Sequence, residues 1–309
     1  MKIAGKAVVL PYAERCKNIL VSNWRGTLHT IKADAKGSKG DIYSSKIKYF
    51  FNKGRPYVWV LEGDKHNVNT VIDERGSLAV TSPFPGPLAS LLKSINKLPS
   101  RIALTGDVIP VRHEKAHSVA ENLRETILSE EKTLKQSSYS VSGIFSSSAG
   151  CSSRGESLQE VLDGGDRYVA YKFDIRSCSY IDNGGSEHEV DVAEIKASKA
   201  DQLSPYAVKL IDGINQSRAR RRALMLFCLV HMNTKARDAF ILSVDRKGFD
   251  VLGKVPRLVT TEGLNDHQWR EFRFTFTEEA NDIETFCRLL VEMEEEALKT
   301  VSSYSGLTF

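Results

Sequence analysis

The chain lacks most of what would mark a special environment. Its five cysteines, Cys16, Cys151, Cys178, Cys228 and Cys287, are scattered over 309 residues with no C-x-x-C pair. That excludes a disulfide framework and a zinc knuckle. Long apolar runs are missing too: the longest, Ala223 to Val230, is less than half of the roughly 18 residues a membrane helix needs. Neither sign of charge dominates, since 43 Lys+Arg against 39 Asp+Glu leave +4, too little to name a polyanionic partner. The first residues, Met1 to Pro11, have too short an apolar core for a secretory signal and lack the Ser and Arg of a transit peptide. Glycine-rich phosphate loops, a helix-turn-helix signature and internal repeats are also absent. A soluble cytosolic protein is the expectation.

What remains is ordinary globular material, 41% hydrophobic and 27% charged, long enough for two domains that each bury a core. Residues 13–25 carry apolar side chains at helical spacing. Short β-branched or aromatic runs follow at Gly26–Ile31, Asp41–Phe51, Tyr57–Leu61, Ser77–Thr81 and Arg101–Val111, separated by turn formers such as Lys39-Gly40 and Asn52-Lys-Gly-Arg-Pro56. Helical windows interrupt them at 65–73 and 114–135. Many strands with few helices between them imply an antiparallel sheet closing into a barrel rather than alternating β–α units. The Ser/Gly-rich, aperiodic stretch 136–165 reads as a mobile insertion, and Arg167–Ile181 as the last barrel strand. A second domain, 190–309 after a first of 1–189, is expected to run helix 204–222, strands Leu224–Met232, Ala239–Val244, Phe249–Lys254 and Trp269–Phe276, then a helix from Glu278 to about Lys299, opened by Thr277-Glu-Glu.

Several patterns carry potential chemistry. His113-Glu114-Lys-Ala-His117 satisfies H-E-x-x-H, in which two histidines one helical turn apart grip zinc and the glutamate activates its water. It follows directly on a strand ending Ile109-Pro-Val111, so it would occupy a frayed first turn, and a zinc hydrolase is only a distant alternative. Ser45-Lys-Ile-Lys48 fits S-x-x-K, but on a strand those two side chains point to opposite faces, and the partner motifs of serine acylation are absent. Ser44, Ser45 and Lys46 read better as an anion grip. Arg218-Ala-Arg-Arg-Arg222 is the one dense basic cluster; without aromatic platforms it suggests an exposed helix turn or a docking patch rather than nucleic-acid binding.

Taken in order, the pieces resemble the FMN-binding split-barrel superfamily that contains pyridoxamine 5'-phosphate oxidase. The similarity is greatest to its haem-utilisation and glutamyl-tRNA-reductase-binding branch and to plant pyridoxamine-phosphate-oxidase-like proteins. The residues that carry it are Cys16-Lys-Asn-Ile-Leu20 with Gly26-Thr-Leu-His-Thr30, Tyr43-Ser-Ser-Lys46, His66-Asn-Val-Asn69 with Gly76-Ser-Leu78, Arg101-Ile-Ala-Leu-Thr-Gly106, and Ser243-Val-Asp-Arg-Lys-Gly-Phe249 in the second domain. The resemblance implies an α+β chain: a split β-barrel followed by a small α+β domain, dimerising with FMN or haem between the subunits. Phosphate or propionates would meet Lys17, Ser44, Ser45, Lys46 and Arg101, with His66 and Asn69 lining the pocket. Three departures count against haem cleavage and weaken flavin binding. The branch's H-M-N-x-D-H reads His231-Met-Asn-Thr-Lys-Ala236, its G-G-F-G loop is reduced to Asn183-Gly-Gly185, and its arginine in the first helix is Lys17. The expectation is therefore a regulatory homodimer that holds FMN or haem, or that docks a partner enzyme, cytoplasmic or plastidic, its pocket holding either ligand or neither. An FMN-dependent oxidoreductase is the alternative.

Overall fold

The computed structural model describes residues 9–34, 37–137, 139–148, 154–164, 167–257 and 267–305. Helix α1 (Tyr12–Ser22) precedes strands β1 (Arg25–Asp34), β2 (Gly37–Asn52) and β3 (Arg55–Leu61). The β2–β3 hairpin turns on Lys53 and Gly54, both at positive φ, 47° and 80°. That is the backbone whose twist matches two antiparallel strands, and the glycine supplies it at no steric cost. Helix α2 (Lys65–Ile72), strand β4 (Arg75–Thr81), helix α3 (Gly86–Ser94) and strand β5 (Arg101–Pro110) follow. After helices α4 (His113–Lys135), α5 (Tyr139–Ser146) and α6 (Arg154–Asp163) comes the long strand β6 (Tyr168–Ile181).

The sheet order is β3-β2-β1-β4-β5-β6, and β3 also pairs with β6, which closes a six-stranded antiparallel barrel. Closure removes the sheet edges that would otherwise expose unpaired backbone groups. Period-two alternation fills the interior with Leu28, Tyr49, Val58, Leu78, Ile102, Leu104 and Phe173, all essentially inaccessible, and α1 adds Cys16 and Leu20 to the same cluster. A separate cluster lies outside the barrel, where Val119, Leu123 and Ile127 of α4 and Leu158 and Val161 of α6 pack on Phe50 and Trp59.

Strand β7 (Glu187–Val190), which pairs with β6, and helix α7 (Val192–Ala197) lead to helices α8 (Ala207–Gln216) and α9 (Arg218–Met232). Strands β8 (Asp238–Asp245), β9 (Gly248–Pro256) and β10 (His267–Thr275) form a three-stranded antiparallel sheet, and helix α10 (Ile283–Ser305) closes the chain. The second core joins this sheet to α8, α9 and α10, and also takes Leu88 and Leu92 of α3 and Val141 and Ile144 of α5.

Three expectations are corrected. The 136–165 stretch is not a mobile insertion, because α5 and α6 lie in it and bury Val141, Ile144 and Leu158. Its serines hide two short amphipathic helices that gain stability from tertiary burial rather than from propensity; Cys151 lies outside the described residues. Leu224–Met232 is the second half of α9, not a strand. A short apolar run cannot distinguish the two by periodicity, and here the Ser217 cap at the start and the left-handed Asn233 at the end settle it as helix. Helix α10 begins at Ile283 rather than Glu278, with the Asp282 carboxylate accepting from the Thr285 amide at 2.6 Å. Helix α3 and strand β7 escaped the sequence reading.

The α5–α8 contact is close enough to test. A Cβ on Gly213 of α8 would stand 2.1 Å from the Ile144 carbonyl oxygen, whereas one on Gly143 would meet nothing nearer than 3.7 Å. Gly213→Ala is expected to destabilise by about 1–3 kcal/mol through overpacking. Gly143→Ala is expected to be neutral or slightly stabilising. Urea midpoints of the two variants check the pair.

Candidate functional site

Register places the expected site residues on two faces of one sheet. On β1 and β2 the pairs are Leu28↔Ser45, Thr30↔Tyr43, His29↔Ser44 and Thr27↔Lys46. Leu28 and Thr30 are buried, so Ser45 is on the inner face with them, while His29, Ser44, Thr27 and Lys46 share the outer face.

Inside, Ser45, His66 and Asn69 form a closed network with Thr30. Helix α2 is capped by Asp64, whose carboxylate accepts from the His66 amide at 2.9 Å, and this holds the histidine against β1. His66 is fully buried. Its Nδ1 is 2.8 Å from the Thr30 hydroxyl and its Nε2 is 3.1 Å from the Ser45 hydroxyl. Asn69 donates to the Thr30 Oγ1 at 2.9 Å and accepts from the Ala33 amide at 2.9 Å. With the Asn69 amide already donating to Thr30, the hydroxyl proton is free for Nδ1, which leaves Nε2–H to donate to Ser45. The ring is therefore neutral, and burial holds its pKa below the usual imidazole value. Each polar atom of the ring has a protein partner, so the network braces α2 on the barrel.

Lys17 has also been placed elsewhere. Its ammonium donates to the carbonyls of Ile195 at 3.1 Å, Lys196 at 3.3 Å and Ser198, where it caps the C-terminal end of α7 and meets the negative end of that helix's dipole. It corresponds to an anion-binding arginine only by sequence position.

Outside, the barrel presents a face of small side chains in rows that the register defines. One row runs Lys46, Thr27, Ala79, Ala103, Ser179, and the next runs Ser44, His29, Ser77, Thr105, Ser177. Ser44 Oγ lies 2.6 Å from His29 Nδ1, and Thr105 and Ser177 share a hydrogen bond of 2.5 Å. Among the described residues, Arg25, Lys46 and Arg101 are cations of this face without an ion pair; Arg75 is held by Asp73 through two bonds, and Lys48 is held by Glu160. Arg101 stands on β5, three strands from Lys46 on β2. At about 4.8 Å per strand, one phosphate cannot be held by both within a single chain. The expected seven-residue site is thus divided. Ser44 and Lys46 stand together with His29 and Thr27, Arg101 shares their face at a distance, and Lys17, Ser45, His66 and Asn69 serve the fold. His29 escaped the sequence reading; its signal was the register, which sets it opposite Ser44.

The side chains of His113 and Glu114 lie outside the described residues, and His117 is exposed on α4. Among the described residues, no group of three His, Cys, Asp or Glu side chains is placed to hold a metal ion. His231 is on the exposed last turn of α9 in the second unit, beside Phe227 and Phe274. Within the basic cluster, Arg220 donates to the Gly213 carbonyl, and Arg221 lies over the Phe240 ring and pairs with Asp238. No helix among the described residues is long and apolar enough to cross a membrane.

Comparison with protein-family models finds no match, and no curated protein matches. Solved structures do. A heme binding protein from Mycobacterium smegmatis aligns over 94% of this chain and 100% of its own, with 19% identity and a TM-score of 0.54. A protein of unknown function from Agrobacterium tumefaciens covers the same 94% and 100%, with 14% identity and a TM-score of 0.39. A Clostridium acetobutylicum protein related to general stress protein 26, of the pyridoxinephosphate oxidase family, covers 60% of this chain and 96% of its own, with 10% identity and a TM-score of 0.35. The closed six-stranded antiparallel barrel, the small α+β unit that follows it and the end-to-end match to the mycobacterial structure establish the fold: this chain is an antiparallel split barrel followed by a small α+β unit.

Proposed function

We propose that this chain is a flavin- or haem-binding protein with a binding or regulatory role, acting as a homodimer whose subunits meet across the outer sheet face. The observation that carries the reading is the face itself. Five adjacent strands present Thr27, Ala79, Ala103 and Ser179 in one row and Ser44, Ser77, Thr105 and Ser177 in the next, a surface of small side chains that a planar ring system or a second copy can approach closely. Lys46 supplies a charge-assisted hydrogen bond to a phosphate or propionate, and Ser44, oriented by His29, supplies a neutral one. The donor set thus fits the anionic end of either ligand, while the small side chains fit the rings. A bound flavin or haem would bring the electron chemistry, and the chain's residues would orient it and screen it from water. The heme binding of the mycobacterial structure, named for that protein, supports haem as the first ligand to try.

The test is an absorbance titration of the purified protein with FMN and with haemin. Lys46→Ala is expected to weaken whichever ligand binds by about tenfold, the scale of one charge-assisted contact. His66→Ala, whose ring faces the interior, is expected to leave the affinity of the folded protein within about twofold. Unchanged affinity in Lys46→Ala would remove the anion site, and failure to bind either ligand would leave the barrel as a partner-docking surface.

A further inference from the structure

A cavity of about 390 Å³ opens where the barrel meets the second unit, and its walls share no residue with the outer sheet face. That volume is at the small end of small-molecule sites. We propose that it binds a small zwitterion with an apolar body, an α-amino acid or close relative, with the ligand's ammonium against Asp250 and its carboxylate against Arg15.

The two charged groups come from different units. Arg15 projects from α1, its guanidinium 5.7 Å and 5.9 Å from the Tyr12 and Tyr180 ring centroids, with no carboxylate within ion-pair distance among the described residues. Asp250 lies on β9 between its cross-strand neighbours Ser243 and Arg273. Its Oδ2 accepts from the Ser243 hydroxyl and lies 3.6 Å from an Arg273 nitrogen. Arg273 is committed more closely to Asp245, at 2.7 Å, so one guanidinium serves two carboxylates and a surplus negative charge remains. Asp250 Oδ1 has no partner among the described residues, and the side chain, 36% exposed, meets the cavity.

The other acids on the wall are already satisfied. Asp182 accepts the Gly184 and Ser186 amides, and Glu271 pairs with Lys97. Asp250 still has an acceptor site to offer, and its nearest guanidinium nitrogen lies at 3.6 Å, against 2.7 Å for Asp245. Its surroundings are consistent with a missing cation: burial pushes its carboxyl pKa up, and Arg273, the Ser243 hydroxyl and Arg15 pull it only part of the way back. Among the otherwise polar walls, Phe84, Val208, Ile211 and Leu242 contribute apolar side chains. An unpaired cation, an under-compensated carboxylate and an apolar patch on the same cavity wall match the carboxylate, the ammonium and the side chain of an amino acid with a hydrophobic side chain.

Calorimetric titration of the full chain tests the proposal with L-leucine and L-phenylalanine, and with two truncated probes, 4-methylpentanoate and 3-methylbutylamine. An amino acid is expected to bind, and loss of either charged end is expected to weaken binding about tenfold. Asp250→Asn is expected to weaken the amino acid and the amine but not the carboxylate, and Arg15→Gln the reverse. Arg15 sits at the cavity wall on a half-exposed helix position, so its variant keeps the test open if Asp250→Asn fails to fold. Absence of binding by both amino acids at about 10 mM, or binding indifferent to both substitutions, would overturn the proposal.

Discussion

Replacing Arg154 by methionine is expected to destabilise the protein by about 3–5 kcal/mol, because it strands a buried carboxylate. Arg154 opens α6 with a side chain only 4% exposed and pairs with Glu130 of α4, itself 14% exposed. Its guanidinium also lies 5.5 Å from the Phe50 ring centroid. The pair is imperfectly compensated, since Arg154 Nε is buried without a partner among the described residues. Burial holds the Glu130 pKa above the usual glutamate range even with Arg154 beside it. A raised carboxyl pKa means that the folded state holds its proton more tightly than the unfolded state. The associated stability is present below the unfolded value, about 4.3, and is lost as pH rises through the folded value. Without Arg154 that folded value climbs further, so Arg154→Met should lose most stability at neutral pH and regain part of it on acidification. The double variant Glu130→Met/Arg154→Met removes both charges and should cost much less than the sum of the singles. Urea unfolding of the three variants at neutral and mildly acidic pH measures this. Equal losses in single and double variants would show that the pair is not what secures α6.

The second large effect is at His66. His66→Ala removes the partner of the Thr30 and Ser45 hydroxyls and leaves a cavity under α2, with an expected cost of about 3 kcal/mol. The pH dependence has the opposite sign to that of Glu130. The folded pKa of His66 lies below its ordinary value, so the unfolded chain binds the proton more readily. The stability is present above the unfolded value near 6.5 and is lost as pH falls through it toward the folded value. His66→Ala should therefore flatten the fall in thermal midpoint below about pH 6.5 as well as lower the midpoint throughout. A variant as steeply pH-dependent as the parent would place the titrating group elsewhere.

These two sites also show where sequence reasoning succeeds and where it stops. The barrel was legible because its strands alternate and are separated by turn residues: Tyr57–Leu61 and Ser77–Thr81 lie on observed strands, and Arg101–Val111 overruns β5 by one residue. So were α1, α2 and α4, from their helical spacing. Helices α5 and α6 were not, because serine-rich segments with little propensity become helical only when Val141, Ile144 and Leu158 find the core. The run at Leu224 to Met232 was equally apolar as strand or as helix, and the contacts of Phe227 and Cys228 in the second core decided between them.

For the site, the sequence determined which side chains were available and that adjacent strand residues face opposite ways. It did not determine which face is interior. That choice depends on closure between β3 and β6 and on α2 docking over β1, both contacts between residues remote in sequence. Closure turned Ser45 inward to His66 and left Ser44 and Lys46 outside beside His29. Only the packing of α7 on α1 brought the backbone carbonyls that occupy Lys17. The hydroxyls, amides and charges were written in the chain; whether each would bind a ligand or brace the fold was decided by which backbone group or side chain reached it first in three dimensions.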